Sequence, residues 1–165
     1  MKGTRVLIAL GSNLGDRAGF LLAGLARLGA LEGFAPGRLS PVYETEPVGP
    51  AEQGPYLNAV LEGESALEPR TLLAALLAIE RELGRVRDRR WGPRTLDLDL
   101  LDYGGRVLRQ PGLELPHPRL HERAFVLVPL ADLQPGWRHP VLGRTARELL
   151  ADLSKDGVRP WRPRY

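Results

Sequence analysis

Residues 90–102 read RWGPRTLDLDLLD, and the interpretation of the whole chain starts from this stretch. A rigid Trp-Gly-Pro start is followed by leucine and aspartate in alternation, which is typical of a half-buried β-strand. Because successive strand side chains point to opposite faces, the leucines at positions 96, 98 and 100 are expected on one face. Asp97 and Asp99 are then expected together on the other face.

The two aspartates create an electrostatic problem. At a rise of roughly 3.3 Å per residue, the carboxylates of Asp97 and Asp99 lie about 6–7 Å apart along the strand. Neighbouring like charges repel each other, so a divalent cation or nearby arginines must compensate. Paired carboxylate oxygens suit Mg²⁺, which takes one or two carboxylates and completes its shell with water and substrate phosphates. We therefore interpret the pair as a candidate magnesium site.

Positive charge is concentrated just before this pair. Residues 81–94 include six arginines and two acids, a net charge of +4, whereas the whole chain carries +3. Planar guanidinium groups beside a carboxylate-held metal suit a polyphosphate. Residues 85–90 have few apolar anchors, so we interpret them as a mobile lid that orders on a nucleotide. The six arginines are Arg81, Arg85, Arg87, Arg89, Arg90 and Arg94.

Length and composition are those of an ordinary globular protein. The 165 residues are 43% hydrophobic and 26% charged, which predicts a single domain over residues 1–165. No apolar run approaches the ~18 residues of a membrane span, and the run at 6–10 is too short for a signal peptide. Cysteine is absent, which excludes a disulfide framework and a thiolate site. We expect a cytoplasmic monomer that has no membrane partner.

The order of the predicted elements indicates the fold class. Apolar periodicity and turn residues predict strands at 5–10, 38–45 and 56–61, with helices at 17–31 and 69–83. The opening stretch supplies the last strand. This β-α-β-β-α-β order is typical of an α+β, ferredoxin-like fold, with an antiparallel sheet and helices packed on one face.

Additional elements are expected after this core. Residues 34–36 should be a connector, and the tail from Arg159 is basic and has no assigned role. The additional elements are a hairpin turn at 103–106 with a returning strand at 107–108, a short helical turn at 119–123, an apolar segment at 124–133 interrupted by Pro129, and a final helix that Thr145 caps and that ends at Leu153.

Three further features allow two interpretations each. Tyr56 and Asn58 could stack on and hydrogen-bond a flat heterocycle, but an ordinary edge strand explains them more simply. The Gly-rich turn at 11–16 could cradle phosphate, but the full G-x-G-x-x-G pattern is missing, which favours a plain turn. Glu80 lies beside an apolar helix stripe, where it is expected to reach out to solvent or pair with Arg85.

Five motifs together resemble one enzyme family. RWGPRTLDLDLL, GSNLGD, YETEPVGP, QGPYLNAV and LPHPRLHERAFVLVPL are similar to motifs of the 6-hydroxymethyl-7,8-dihydropterin pyrophosphokinases of folate synthesis, and the resemblance spans about residues 6–133. It implies a magnesium-dependent enzyme with ATP and a pterin as substrates. Such an enzyme transfers the β,γ-pyrophosphoryl group of ATP to the pterin's hydroxymethyl oxygen and releases AMP.

The resemblance also implies roles in phosphate and metal binding. The aspartate pair would hold two Mg²⁺ ions that bridge the triphosphate. The residues implied in catalysis are Asp97, Asp99, Arg85 and Arg94, and those implied in nucleotide binding are Glu80, Arg87, Trp91, His117 and Arg123.

The same resemblance implies a composite pterin pocket. The planar ring would lie between Tyr56 and Phe125, whose flat apolar faces suit stacking. Asn58 would bind the amide-like edge of the ring, and the backbone of Thr45 and Val48 would bind the rest. The resemblance therefore favours the functional interpretation of Tyr56 and Asn58.

Two other classes of function share some of these features. Ferredoxin-like sheets with basic loops can bind RNA through exposed aromatic residues, but Asp97 and Asp99 would repel a phosphate backbone, so nucleic acid is not an expected partner. A metal-dependent nucleotidyl transferase or nuclease is a closer rival, because two aspartates on a strand also serve two-metal phosphoryl chemistry. The nucleotide product distinguishes these functions, because only the pyrophosphokinase would release AMP when ATP reacts with the pterin.

Overall fold

A computed structural model describes residues 3–46, 54–84 and 95–162. Its elements, in chain order, are β1 (Thr4–Ser12), α1 (Arg17–Gly29), β2 (Phe34–Leu39), β3 (Tyr43–Thr45), β4 (Tyr56–Ser65), α2 (Pro69–Glu82), β5 (Asp97–Tyr103), β6 (Leu108–Gln110), β7 (Leu113–Leu115), a 3-10 turn (Leu120–Glu122), α3 (Ala124–Leu133), α4 (Ala146–Ala151) and β8 (Val158–Pro160).

The main sheet confirms the predicted fold class. Its strand order is β5-β1-β4-β3-β8, β2 also pairs with β4, and all of these pairs are antiparallel. The series from β1 to β5, with β2 and β3 end to end along β4, is the ferredoxin-like arrangement. This order places β1 between β4 and β5, so residues from three strands meet around β1.

Both faces of the sheet are covered by helices. On one face, α1 and α2 pack against leucines of β5, including Leu98 and Leu100. On the other face, α3 and α4 pack against Leu7, Val60 and Leu101. The expectation of helices on one face is therefore wrong beyond α1 and α2. The physical reason is that β1 is apolar at consecutive positions, so each of its faces needs a cover.

The end residues that the sequence predicts for the helices are found at the ends of α1 and α2. Asp16 caps α1, and its carboxylate accepts a hydrogen bond from the Gly19 backbone N–H at 3.0 Å. Pro69 lies in the first turn of α2, and Gly84 follows the helix with a φ of +89°. Thr145 caps α4 in a capping box with Glu148.

Other predicted boundaries need correction. The strand predicted from residue 38 begins at Phe34, where a connector was expected. The turn at Gly104 and Gly105 exists, but the strand after it, β6, pairs with β7 in a separate two-stranded sheet. The segment 124–133 is the continuous helix α3, with Pro129 inside it. The basic tail contributes a further strand, β8.

No helix within the described ranges is both long enough and apolar enough to cross a membrane. The assignment of the whole chain to a single domain stays a prediction.

Candidate active site

Gly11 of β1 has no side chain, and three predicted site residues converge on the position that a side chain would occupy, which we call the hollow. A Cβ atom at Gly11 would lie 3.0 Å from Asn58 Oδ1, 3.5 Å from Tyr56 Cδ1 and 3.9 Å from Asp97 Cβ. The register explains this convergence, because Gly11 is opposite Asn58 on β4 and opposite Asp97 on β5. The position of the missing side chain is therefore bounded by an aromatic ring, an amide and the Cβ of an aspartate, and a Cβ there would crowd Asn58 Oδ1.

The aspartate pair has the predicted orientation. Leu98 and Leu100 are buried against α1 and α2, so Asp97 and Asp99 point to the opposite face. Asp99 is opposite Ala9 of β1, two residues from the Asp97–Gly11 pair. Both aspartates are partly exposed. The alternation in the sequence thus placed the two carboxylates on one accessible face.

Glu80 holds the strand that bears this pair. Its side chain is buried, with the residue 1% exposed, and its Oε2 accepts a hydrogen bond from the Leu98 backbone N–H at 2.7 Å. Within the described ranges β5 is the last strand of the sheet, so the outward N–H of Leu98 meets no other strand there. Glu80 therefore fixes the residue between the two aspartates. The expectation that it reaches out to solvent is wrong, and its role toward a nucleotide stays a prediction.

Thr45 and Asn58 form a buried polar pair beside the hollow. The Asn58 Nδ2 donates a hydrogen bond of 2.5 Å to Thr45 Oγ1. Thr45 lies on β3 opposite Tyr56, and both side chains of the pair are buried. This hydrogen bond orients the Asn58 amide, so that its Oδ1 faces the space above Gly11.

Phe125 and Arg123 approach from α3, which covers the same face of the sheet. Phe125 packs, partly buried, against the cluster that contains Val60. The Arg123 guanidinium lies 5.5 Å from the centroid of the Phe125 ring, within the range of a cation–π contact. The start of α3 therefore presents an aromatic ring and a cation together.

His117 lies close to the aspartate strand. Its backbone N–H donates to the Leu101 carbonyl of β5 at 2.9 Å, and its Nδ1 accepts from the Arg119 N–H at 3.2 Å. Burial, followed by the charges of Arg123 and Arg119, lowers the pKa of His117 to about 4, although Asp97 is near enough to oppose this shift. The ring is therefore neutral at pH 7 and carries its proton on Nε2, from which it can donate to an anion.

We expect His117 to stay neutral in the nucleotide-free protein down to about pH 5. In the unfolded chain the His117 side chain is protonated below about pH 6.5. The free energy of unfolding should therefore fall as the pH drops from about 6.5 toward 4. Nitrogen-15 NMR titration should show the Nε2–H tautomer of His117. The His117→Gln variant should lack the corresponding signal, which assigns it, and its free energy of unfolding should lose this part of the pH dependence. A ring that titrates near 6.5 would contradict the prediction.

The aspartate pair fits magnesium by its donor chemistry. Among the residues that the structure describes, no group of three or more histidine, cysteine, aspartate or glutamate side chains is placed to hold a metal ion. Mg²⁺ needs only one or two carboxylates when water and phosphate oxygens complete its shell. Asp97 and Asp99 therefore suit an ion that arrives with a nucleotide rather than one caged by the protein alone.

Some predicted residues fall outside the described ranges. They are Val48, Arg85, Arg87, Trp91 and Arg94, and their roles stay predictions. Sequence reasoning placed Gly11 in a turn that could cradle phosphate and missed its position in β1 opposite Asn58 and Asp97. A signal was present, because a glycine inside an apolar strand often marks a close approach of a ligand or another backbone.

A family model described as 7,8-dihydro-6-hydroxymethylpterin-pyrophosphokinase matches residues 7–135. The chain belongs to this family. A Pseudomonas aeruginosa relative named 2-amino-4-hydroxy-6-hydroxymethyldihydropteridine pyrophosphokinase is 47% identical over 154 residues, which cover 93% of this chain and 94% of that protein. A Bacillus subtilis relative of the same name is 40% identical over 156 residues, covering 94% of this chain and 89% of that protein.

Solved structures agree at the level of the fold. A crystal structure of a Plasmodium falciparum HPPK-DHPS variant with SDX-DHP has a TM-score of 0.72 at 15% identity. The match covers 91% of this chain but only 45% of that one, so this chain corresponds to less than half of the Plasmodium protein. The family assignment confirms the resemblance on which the site prediction was based.

Proposed function

We propose that this chain transfers the β,γ-pyrophosphoryl group of ATP to the hydroxymethyl oxygen of 6-hydroxymethyl-7,8-dihydropterin and releases AMP. Membership of the pyrophosphokinase family supports the reaction class. The convergence of Tyr56, Asn58 and Asp97 over Gly11 is the observation that carries the proposal. An aromatic ring and an amide lie beside an aspartate there, which supports a reaction between a pterin alcohol and a metal-bound triphosphate.

The residues around Gly11 suit the pterin. Asn58 Oδ1, oriented by the hydrogen bond to Thr45, can accept a hydrogen bond from an N–H at the edge of the ring. Tyr56 contributes one stacking face, and Phe125 on α3 contributes the other. A ring held on both faces and along one edge has its hydroxymethyl group fixed in direction, which lowers the entropic cost of reaching the transition state.

Arg123 and His117 suit the triphosphate. Arg123 brings a permanent positive charge, and neutral His117 can donate from Nε2 to a phosphate oxygen. Asp97 and Asp99 would hold two Mg²⁺ ions, whose chemistry is to neutralise charge on the β- and γ-phosphates. The pterin oxygen then forms a bond to the β-phosphorus while its hydroxyl proton passes to solvent, the bond to the α,β-bridging oxygen breaks, and AMP leaves with that oxygen.

Product analysis tests this function. The purified chain, incubated with ATP, Mg²⁺ and 6-hydroxymethyl-7,8-dihydropterin, should form AMP and the pterin diphosphate in equal amounts, as separated by ion-exchange chromatography. A reaction without the pterin is the control and should release almost no AMP. Formation of ADP, release of free pyrophosphate, or the absence of AMP would each contradict the proposal.

We also propose that the enzyme is a monomer and that it acts in the cytoplasm, where ATP is available as a substrate. Light scattering coupled to size exclusion should give the mass of one 18.2 kDa chain. A mass of two or more chains at micromolar concentration would contradict the monomer.

A further inference from the structure

The C-terminal segment lies beyond the family match, which ends at residue 135, yet it reaches the strand that carries Thr45. Strand β8 pairs with β3, so that Thr45 is opposite Val158 and Glu44 is opposite Arg159. Just beyond this pairing, the Glu46 backbone N–H donates to the Gly157 carbonyl at 2.9 Å. The segment therefore supplies a backbone partner on both sides of Thr45.

Arg159 adds a side-chain contact to each residue that flanks Thr45. Its Nε and Nη2 donate to Glu44 Oε1 at 3.2 and 2.6 Å, and its Nη1 donates to Glu46 Oε1 at 3.1 Å. One planar guanidinium thus bridges two carboxylates that are two residues apart on the same strand face. A lysine could offer only a single point of charge at this position.

Arg17 completes the arrangement from the start of α1. Its Nη1 lies 2.8 Å from Glu44 Oε2 and donates to the Pro55 carbonyl at 3.0 Å. Glu44 is therefore held by one arginine on each oxygen, and these hydrogen bonds hold the pKa of its carboxyl below the usual value. Through Pro55, the same contacts reach the residue immediately before Tyr56.

We propose that Arg159, acting through Glu44 and Glu46, is a positioning residue that holds the Thr45–Asn58 pair in place for the pterin ring. The inference rests on the proposed function, because it assigns the substrate that this pair receives. Arg159 itself does not need to touch the substrate. It fixes the backbone on both sides of Thr45, and Thr45 in turn orients the Asn58 amide.

The contacts predict a specific kinetic signature. The Arg159 side chain is 49% exposed, and ion pairs at such positions contribute little to global stability. Its loss should therefore leave the melting temperature almost unchanged while the pterin pocket loosens. A residue that only stabilised the fold would lower the melting temperature and affect both substrates alike.

The test compares three variants of the full chain. Arg159→Ala should raise the KM for pterin about tenfold, with kcat and the KM for ATP changed by less than about twofold. Arg159→Lys should restore only part of the loss, because it cannot bridge both carboxylates. Arg162→Ala removes an exposed arginine three residues further along the tail and should behave like the parent chain.

A double variant tests the route of the effect. If Arg159 acts through Glu44, adding Glu44→Gln to Arg159→Ala should raise the pterin KM by less than the product of the two single effects. Equal changes in the KM values of both substrates, or a pterin KM unchanged by Arg159→Ala, would overturn the inference. Failure of the proposed function would be distinct, because the parent chain itself would then form no AMP.

Discussion

Alanine at Asp97 or at Asp99 should lower kcat by about three orders of magnitude or more, since either change would remove a charge that is proposed to hold the reacting phosphates through a metal ion. The fold should survive, because both carboxylates are partly exposed and β5 is anchored by Leu98 on the opposite face. Steady-state AMP formation over a range of Mg²⁺ concentrations measures the effect. Urea denaturation of the same preparations checks the stability.

Asp102 provides a matched control on the same strand. It lies at the far end of β5, where its Oδ2 accepts a hydrogen bond from Trp137 Nε1 at 3.3 Å. Burial raises the pKa of Asp102, and Asp102→Asn keeps the size of the side chain and an oxygen that can accept the hydrogen bond from Trp137. This variant should keep kcat within about twofold, since it leaves Asp97 and Asp99 intact. A fully active Asp97→Ala enzyme would rule out the metal role of that residue.

Valine at Gly11 should lower kcat/KM for the pterin by about a hundredfold, because it fills the hollow on which the site is built. The first added carbon would already lie 3.0 Å from Asn58 Oδ1, and the two branches would extend further between Tyr56 and Asp97. Valine is well suited to a strand interior, so the backbone itself has no reason to unfold. Alanine should give an intermediate effect.

Fluorescence titration of the pterin and the unfolding transition should be measured together for the Gly11 variants. Gly29→Ala is the control, since a Cβ at that last residue of α1 meets nothing within 4 Å. It should bind pterin normally and gain up to about 1 kcal/mol in stability from the better helix former. A Gly11→Val protein that binds pterin as tightly as the parent chain would show that the ring lies elsewhere.

The sequence predicted those parts of the fold that depend on local periodicity. Alternation along β5 is enough to put Asp97 and Asp99 on one face, since the strand repeat leaves no other arrangement. The caps at Asp16 and Thr145 are equally local, because each side chain bonds to a backbone N–H three residues ahead.

The missed features depend on distant partners. Strand β8 has almost no apolar alternation, and it forms because the edge of β3 offers backbone groups to pair with. Glu80 is buried because its carboxylate accepts a hydrogen bond from the edge of β5. The periodicity of the helix cannot reveal this distant partner. Gly11 contributes to the site by having no side chain, and the pattern of apolar and polar residues cannot predict which side chains surround it.

The hydrogen bond from Leu98 to Glu80 has a consequence for how copies of the protein meet. Strand β5 ends the sheet in the part of the chain that the structure describes, and an open edge is a template to which another chain can add a strand and begin aggregation. Here the Leu98 N–H is taken by Glu80, and the Leu101 carbonyl is taken by the His117 N–H. The side chain that steadies the aspartates therefore also closes the sheet against self-association, and Glu80→Ala should make concentrated protein more prone to aggregate.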